Sequence, residues 1–427
     1  MLPLAIMLAA SGPLLVEPQM PLDARINPMK VSTRGLPPLP VSLVPPPPPA
    51  HILASSPQEA SMNADRWRAA MGSLMHGARF LVDTQLPNGL WKSGHASPTD
   101  RHDAATDVDL ATTALAARAL LLAPDLCRIE DAKNRSLAAL LAARRPDGAF
   151  DNGPLANYVT ASITTTLAST NDPRVRRAIE GGVRWLTGAQ WDQGEGLSPR
   201  ADWFGGAGYG KHGRPDLSNT QIMLEALYES GLSHNDPAFG RAVLFLTRTQ
   251  NCSSMNDATW ASEDGGFVYT CAGGGESMAS EYAGEGRKGN GTSLRSYGSM
   301  TYAGFKSLLY AGLTAEDPRV QAALGWIRSN WTFDENPGLG TQGHFYYLHA
   351  MARALRASGL NSIVDADGAP HNWRNELVNT IVSLQRDDGS WVNDESRWME
   401  GEAILVTAYS MLALQEAMKP CPPSGEP

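Results

Sequence analysis

Cysteine is scarce. The 427 residues carry four, Cys127, Cys252, Cys271 and Cys421, too few for a disulfide scaffold. None stands in a CxxC or other zinc-like spacing. Basic charge is short as well: 35 Lys and Arg face 44 Asp and Glu, for a formal charge of −9. Such a chain has no field with which to release counterions from a phosphate backbone, which excludes nucleic acid as a partner. No apolar run reaches the roughly 18 residues of a spanning helix, so no transmembrane helix is expected. Aromatics are sparse at 7%, yet apolar residues reach 42% and charged ones only 19%, enough to bury a core. The 41 Gly and 30 Pro imply many punctuated elements.

The ends read differently from the middle. Met1–Gly12 is a short apolar run followed by small residues, like the core and cleavage region of an export signal, although no positive charge precedes it. Export to the periplasm or the exterior is the expectation. Gly35–Ala50 (GLPPLPVSLVPPPPPA) is a stiff, extended spacer, and the last residues, KPCPPSGEP, form a second proline-rich stretch. Residues 1–56 are therefore read as signal segment plus linker, 57–418 as the folded body and 419–427 as a tail. In an exported protein Cys252 and Cys271, which bracket one loop, could form a disulfide; two separate free thiols are the alternative.

The dominant signal is an internal repeat. Phe80-Leu81-Val-Asp-Thr-Gln85-Leu-Pro-Asn-Gly89-Leu-Trp91 recurs as Thr380-Ile381-Val-Ser-Leu-Gln385-Arg-Asp-Asp-Gly389-Ser-Trp391. Weaker copies are Arg144-Arg-Pro-Asp-Gly148-Ala-Phe150, Trp185-Leu186 with Gln190, Phe245-Leu246 with Gln250, and Trp326-Ile327 leading to Trp331. In the full copies, an amphipathic helix runs up to the Gln, an Asx-Gly pair ends it, and an aromatic two residues later folds back on the helix end. The Gln can bond loose backbone groups there. Between the copies lie helices apolar on every side, such as Leu110–Leu122, Thr220–Ser230, Tyr302–Ala311 and Ala403–Ala417, as buried helices are. Outer helix, turn and inner helix alternate six times, so the chain is all-α.

This pattern resembles the QW repeats of squalene–hopene cyclases and other terpenoid cyclases, over roughly Arg66 to Met418. The resemblance implies an (α/α)6 toroid, shared with prenyltransferase β-subunits, with inner helices around a central cavity. It also points to the segments just ahead of the inner helices as the cavity mouth. Class II terpene cyclases carry Asp-x-Asp-Asp in such a segment, the middle Asp protonating an alkene or epoxide. Asp107 and Asp109 match the first two positions, and Leu110 stands at the last. A helix-capping role for Asp109 is the alternative.

The other helix starts are polar. They supply Trp203, Tyr209, Arg214 and Asp216; Arg295, Tyr297, Tyr302 and Lys306; His344, Tyr346 and Tyr347; and Glu400 with Glu402. Tyr302 and Lys306, four apart, share a helix face. Asp107, Asp109, Tyr297, Tyr302 and His344 are the catalytic candidates, and Trp203, Tyr209, Arg214, Asp216, Arg295, Lys306, Tyr346, Tyr347 and Glu402 the substrate-binding candidates. A glycine-rich insert from Asp264 to Gly291 is expected to form a rim or lid.

No metal or cofactor is expected. The prenyltransferase Asp-x-Cys zinc pair is missing, His344 and His349 are five rather than four apart, and neither a phosphate loop nor a thioester sequence occurs. Three readings follow: a terpenoid-cyclase-like enzyme, a secreted polysaccharide lyase or hydrolase, and a non-catalytic binding toroid. Each places a small molecule or a glycan in the central cavity. Nothing in the sequence names a partner protein.

Overall fold

The computed structural model describes residues 62–94, 106–124, 129–279 and 293–419. The export-like segment, the proline spacer, most of the C-terminal tail, Cys127, Cys421 and the end of the glycine-rich insert lie outside the described residues.

Within them the chain forms α1 (Ala64–Thr84), α2 (Asp107–Leu121), α3 (Ile129–Ala142), α4 (Ala156–Ala168), α5 (Arg176–Thr187), α6 (Leu217–Glu229), α7 (Pro237–Thr249), α8 (Gly298–Tyr310), α9 (Pro318–Ser329), α10 (His344–Ser358), α11 (Trp373–Ser383) and α12 (Ala403–Met418). A two-residue hairpin, β1 (Ile363–Val364) against β2 (Pro370–His371), is the one sheet among the described residues. The even-numbered helices pack in order, each on the next, and α12 returns to α2. That closed ring, with the odd-numbered helices outside it, is an (α/α)6 toroid.

Burial separates the two rings. Every residue of α2 from Val108 to Leu120 is buried, and so is every residue of α6 from Leu217 to Leu227. An outer helix such as α5 buries one stripe, Ala178, Gly181, Gly182, Trp185 and Leu186. Outer helices α7 and α9 start at Asp-Pro, the Asp side chain capping and the Pro occupying a first-turn position that needs no N–H.

The repeat motif turns out to be a staple between neighbouring outer helices. Gln85 Nε2 donates to Gly89 O in its own turn and, at 3.0 Å, to Ala132 O at the start of α3. Gln190 reaches Ala238 O of α7, Gln250 reaches Arg319 O of α9, and Gln385 reaches Ser73 O of α1, which closes the circle. The indoles of Trp91 and Trp391 fold back to donate to Leu81 O and Ile381 O. The turn glycine has a second duty beyond its φ of 85°: a Cβ at Gly89 would lie 2.3 Å from Arg135 O of α3. One would likewise meet His76 O of α1 at Gly389.

The inner helices all begin at one end. There, Asn157 N of α4 donates to Tyr209 O ahead of α6, Leu217 N of α6 to Tyr269 O ahead of α8, and Gly298 N of α8 to Pro337 O ahead of α10. Gly94 N, ahead of α2, donates to Glu402 Oε2 at the start of α12. These linked loops are the mouth of the toroid.

Candidate active site at the mouth and axis of the toroid

All six inner helices contribute side chains to the axis. Arg118 of α2, Tyr158 of α4, Glu225 of α6, Lys306 of α8, His349 and Arg353 of α10, and Tyr409 of α12 surround a cavity with about 30 Å³ of free space, room for one or two waters. The axis is thus nearly filled by its own side chains.

Its deep end is an ion network. Glu225 accepts from Arg118 at 2.7 Å, from Arg353 at 2.9 Å and from Lys306. Arg353 also reaches Glu229 at 2.8 Å and Glu416 at 3.0 Å. Three buried cations thus face three carboxylates, and Lys419 reaches Glu416 from the edge at 2.8 Å. Burial alone would raise Glu225, but Arg353, Lys306 and Arg118 hold it well below the usual carboxylate range. Glu416 is held at about 2, its burial outweighed by Arg353 and Lys419. Burial drives His349 down to about 3, so its imidazole is neutral.

Above the network stand phenols. Tyr158 and Tyr409 share a hydrogen bond, and the Tyr346 and Tyr409 rings lie 6.0 Å apart. Gln221 bridges the two layers, accepting from Lys306 Nζ at 2.7 Å and approaching Tyr346 Oη at 3.4 Å. Burial pushes Tyr158 up to about 12.

The mouth carries the carboxylates. Asp109 is not the helix cap; Thr106 is. Its hydroxyl accepts from Asp109 N, and Asp109 returns the bond by accepting from Thr106 N at 3.2 Å, a capping box. The other oxygen of Asp109 accepts from Ser93 N at 3.0 Å. Each oxygen of this carboxyl thus accepts one backbone N–H. Asp107 stands two residues earlier: its Oδ1 accepts from Val108 N, and its Oδ2 lies 3.7 Å from where a Cβ of Gly153 would sit. Asp151 Oδ2 is 3.2 Å from the same point. Burial raises the Asp107 pKa, and the charges of Asp151 and Asp109 raise it further.

Two more mouth carboxyls are buried. Asp216 caps α6 through Asn219 N and binds Asn219 Nδ2, and burial lifts it to about 6. Glu400 accepts from Tyr346 N, Phe345 N and Asn393 Nδ2, and burial lifts it to about 7 despite these donors.

The sequence candidates divide. Lys306 and Tyr346 line the axial cavity. Tyr209, Asp216 and Tyr297 stand at its upper end: the Tyr209 and Tyr269 hydroxyls meet at 3.3 Å, and burial, then Tyr346 and Asp216, raise Tyr297 well above the usual phenol. Glu402 holds Gly94 at the rim. Six do not line the axial cavity. Tyr302, though four residues from Lys306, turns into the α8–α10 seam against Tyr347, whose hydroxyl donates to Thr332 O. His344 bonds Phe333 O at 2.7 Å, and burial lowers its pKa. Trp203 packs edge-on against Trp191 within its own loop. Arg214 ties that loop to the insert through Glu276 and Ala272 O, while Arg295 lies on the outer rim.

The thiols are not paired. Cys271 Sγ donates to Asp202 O and Cys252 Sγ contacts Ser254 Oγ, so both buried sulfurs point at other partners. The first part of the insert is a packed rim, Thr270 pairing with Glu276 and Tyr269 buried against the mouth. Among the described residues no cluster of three or more His, Cys, Asp or Glu could hold a metal, and no helix is long and apolar enough to cross a membrane.

No family model and no curated protein matches this sequence. Solved structures do share its fold. A variant of the type II terpene cyclase MstE from Scytonema, in complex with geranylgeranyl dihydroxybenzoate, superposes with a TM-score of 0.52 at 14% identity, over 84% of this chain and 99% of that one. The GH76A α-1,6-mannanase of Salegentibacter sp. HEL1_6 gives a TM-score of 0.51 at 10% identity, over 82% and 98%. The chain shares the α/α-toroid fold of both proteins.

Proposed function

We propose that this toroid is a terpenoid-cyclase-like enzyme whose proton donor is Asp107, acting at the mouth on a prenylated substrate whose chain enters the axis. The observation that carries the reading is the division of labour in Asp107-Val-Asp109: the second carboxylate serves the capping box and Ser93 N, while Oδ2 of the first lies near the same point as Asp151 Oδ2. Burial and neighbouring carboxylates raise the Asp107 pKa, the direction that proton transfer to an alkene needs. The proton would pass from Asp107 to an alkene carbon. The resulting cation would close a ring and then lose a proton to water, from which Asp107 is recharged. The ring faces of Tyr158, Tyr346 and Tyr409 suit a passing cation. The axis holds only about 30 Å³ of free space, so entry of a chain must open it.

That closed axis also favours a second reading. Asp107 and Asp151 form a carboxylate pair at the mouth, as glycoside hydrolysis needs, and a glycan would reach them without entering the axis. A paired screen separates the two: a geranylgeranyl dihydroxybenzoate-type substrate analysed for cyclic products, and an α-1,6-mannan analysed for reducing ends. Cyclic products lost in Asp107→Asn support the cyclase. New reducing ends lost in both Asp107→Asn and Asp151→Asn support the hydrolase and overturn it. Inactivity on both overturns the acid role of Asp107 on these substrates.

A further inference from the structure

Outside the axis, the described residues contain a larger hollow on the mouth face. Asp264, Arg295, Ser296, Trp326, Ser329 and Asn330 line a pocket of about 370 Å³ between the segment after α7 and the C-terminal end of α9. It is an order of magnitude roomier than the axial cavity and lies in the size range of small-ligand sites. Its location follows from the fold: Ser296 directly precedes Tyr297, the residue that opens α8, and the neighbouring Pro337 and Gly338 belong to the loop ahead of α10.

The lining is chemically mixed in a particular way. Asp264 is fixed: its Oδ1 accepts from Ser296 Oγ at 2.7 Å and from Gly266 N at 2.8 Å. Arg295 is exposed, and among the described residues its guanidinium enters no ion pair. Asn330 is held in place by donating to Trp326 O at 2.8 Å, and Trp326 provides an apolar wall. One carboxylate and one guanidinium balance each other, so the pocket has no net charge to attract an ion. It offers acceptors and donors on several sides of one hollow instead. A ring bearing several hydroxyls, each able to donate and accept, satisfies such a set; a plain hydrocarbon would leave the polar groups unpaired.

We propose that this pocket is a binding site for an uncharged hydroxylated ring, a single hexose unit, on the rim of the toroid and separate from the axial site. Arg295 and Asn330 face its oxygens, Asp264 receives a hydroxyl, and Trp326 covers an apolar edge. The proposal does not depend on which reaction the mouth performs.

The test is a saturable titration by saturation-transfer NMR of the full chain with the methyl α-glycosides of mannose, glucose and galactose, and with methyl glucuronoside as the charged counterpart. At least one neutral glycoside should bind, and no less tightly than the glucuronoside. Arg295→Ala should weaken binding about tenfold, in keeping with the loss of a hydrogen bond from a charged group. Ser329→Trp, an exposed position at the end of α9, should fill the hollow and abolish binding without touching the core. Asp107→Asn should leave binding unchanged, which separates this pocket from the mouth. Circular dichroism of each variant checks its fold. The proposal is overturned if no neutral glycoside gives a saturable signal, if the glucuronoside binds more tightly, or if binding is insensitive to both pocket variants. Loss in Asp107→Asn alone would overturn it too.

Discussion

Glu400 accepts the backbone N–H of Tyr346 at 2.7 Å, so a residue ahead of α12 caps the neighbouring inner helix, α10. The cap is needed because α10 starts at Gly343, which has no side chain to supply one. The backbone bends to deliver it: Trp398 and Met399 both sit at positive φ, 59° and 65°. Through this bond the mouth loop sets where Tyr346, and one turn on His349, enter the axis.

Glu400→Ala should therefore destabilise the fold by about 2–4 kcal/mol, because buried N–H groups lose their acceptor. Glu400→Gln should lose less, offering one acceptor oxygen instead of two. The sign of the pH effect is set by a pKa raised to about 7: the folded chain holds the proton above the pH at which the unfolded chain releases it. Wild-type stability should thus fall as pH rises from the ordinary glutamate range to 7, and the Gln variant should lack that slope. Urea denaturation at pH 5 and pH 8 measures both.

The deep ion network predicts the opposite slope at acid pH. Glu416 is held at about 2, so it contributes stability above the usual glutamate pKa that is lost as pH falls towards 2. Glu416→Gln should flatten that acid limb. Glu225→Gln should cost about 3–5 kcal/mol at neutral pH, since Arg118, Lys306 and Arg353 lose their shared counter-charge in a buried place. Acid titration followed by circular dichroism, with equilibrium denaturation, checks both.

On the outside, His371 lies between Asp365 at 3.0 Å and Glu376 at 3.1 Å and clasps the small hairpin to α11. Burial would lower its pKa, but the bond to Asp365 and the charge of Glu376 raise it. A raised histidine stabilises fully below its unfolded pKa and loses that contribution as pH rises through the folded one. His371→Gln should bring the melting temperature down at pH 5.5 and leave it nearly unchanged at pH 9. Equal losses at both values would show that the ion pairs contribute nothing.

Much of the toroid was legible because its repeat couples a local rule to a global one. The spacing from Gln85 to Gly89 and Trp91 marks a helix end by itself, but the destination of the Gln, the next outer helix, is a tertiary fact. Arg135 and Arg241, which donate to the oxygens of Gln85 and Gln190, carry no signal in their own neighbourhoods. At the site, loop polarity drew attention to Tyr302, His344, Tyr347 and Trp203, all of which the loops use for their own packing. The axial groups Arg118, Glu225 and Arg353 were missed. Their signal was available: an ionisable residue in the middle of a largely apolar, buried inner helix has to face something polar. Asp151 gave none, being brought beside Asp107 only by the packing of α4 on α2.

The central claim is that Asp107 is the acid and Asp109 the scaffold. The direct measurement is turnover of a geranylgeranyl dihydroxybenzoate-type substrate by Asp107→Asn and Asp109→Asn, with melting temperature recorded on the same samples. Asp107→Asn should lose at least about a hundredfold in turnover with its melting temperature nearly unchanged. Asp109→Asn should instead lose about 1–2 kcal/mol of stability, because an amide has one oxygen to offer where two backbone N–H groups need acceptors. A fully active Asp107→Asn, or an Asp109→Asn that is inactive yet as stable as the parent, would contradict the account.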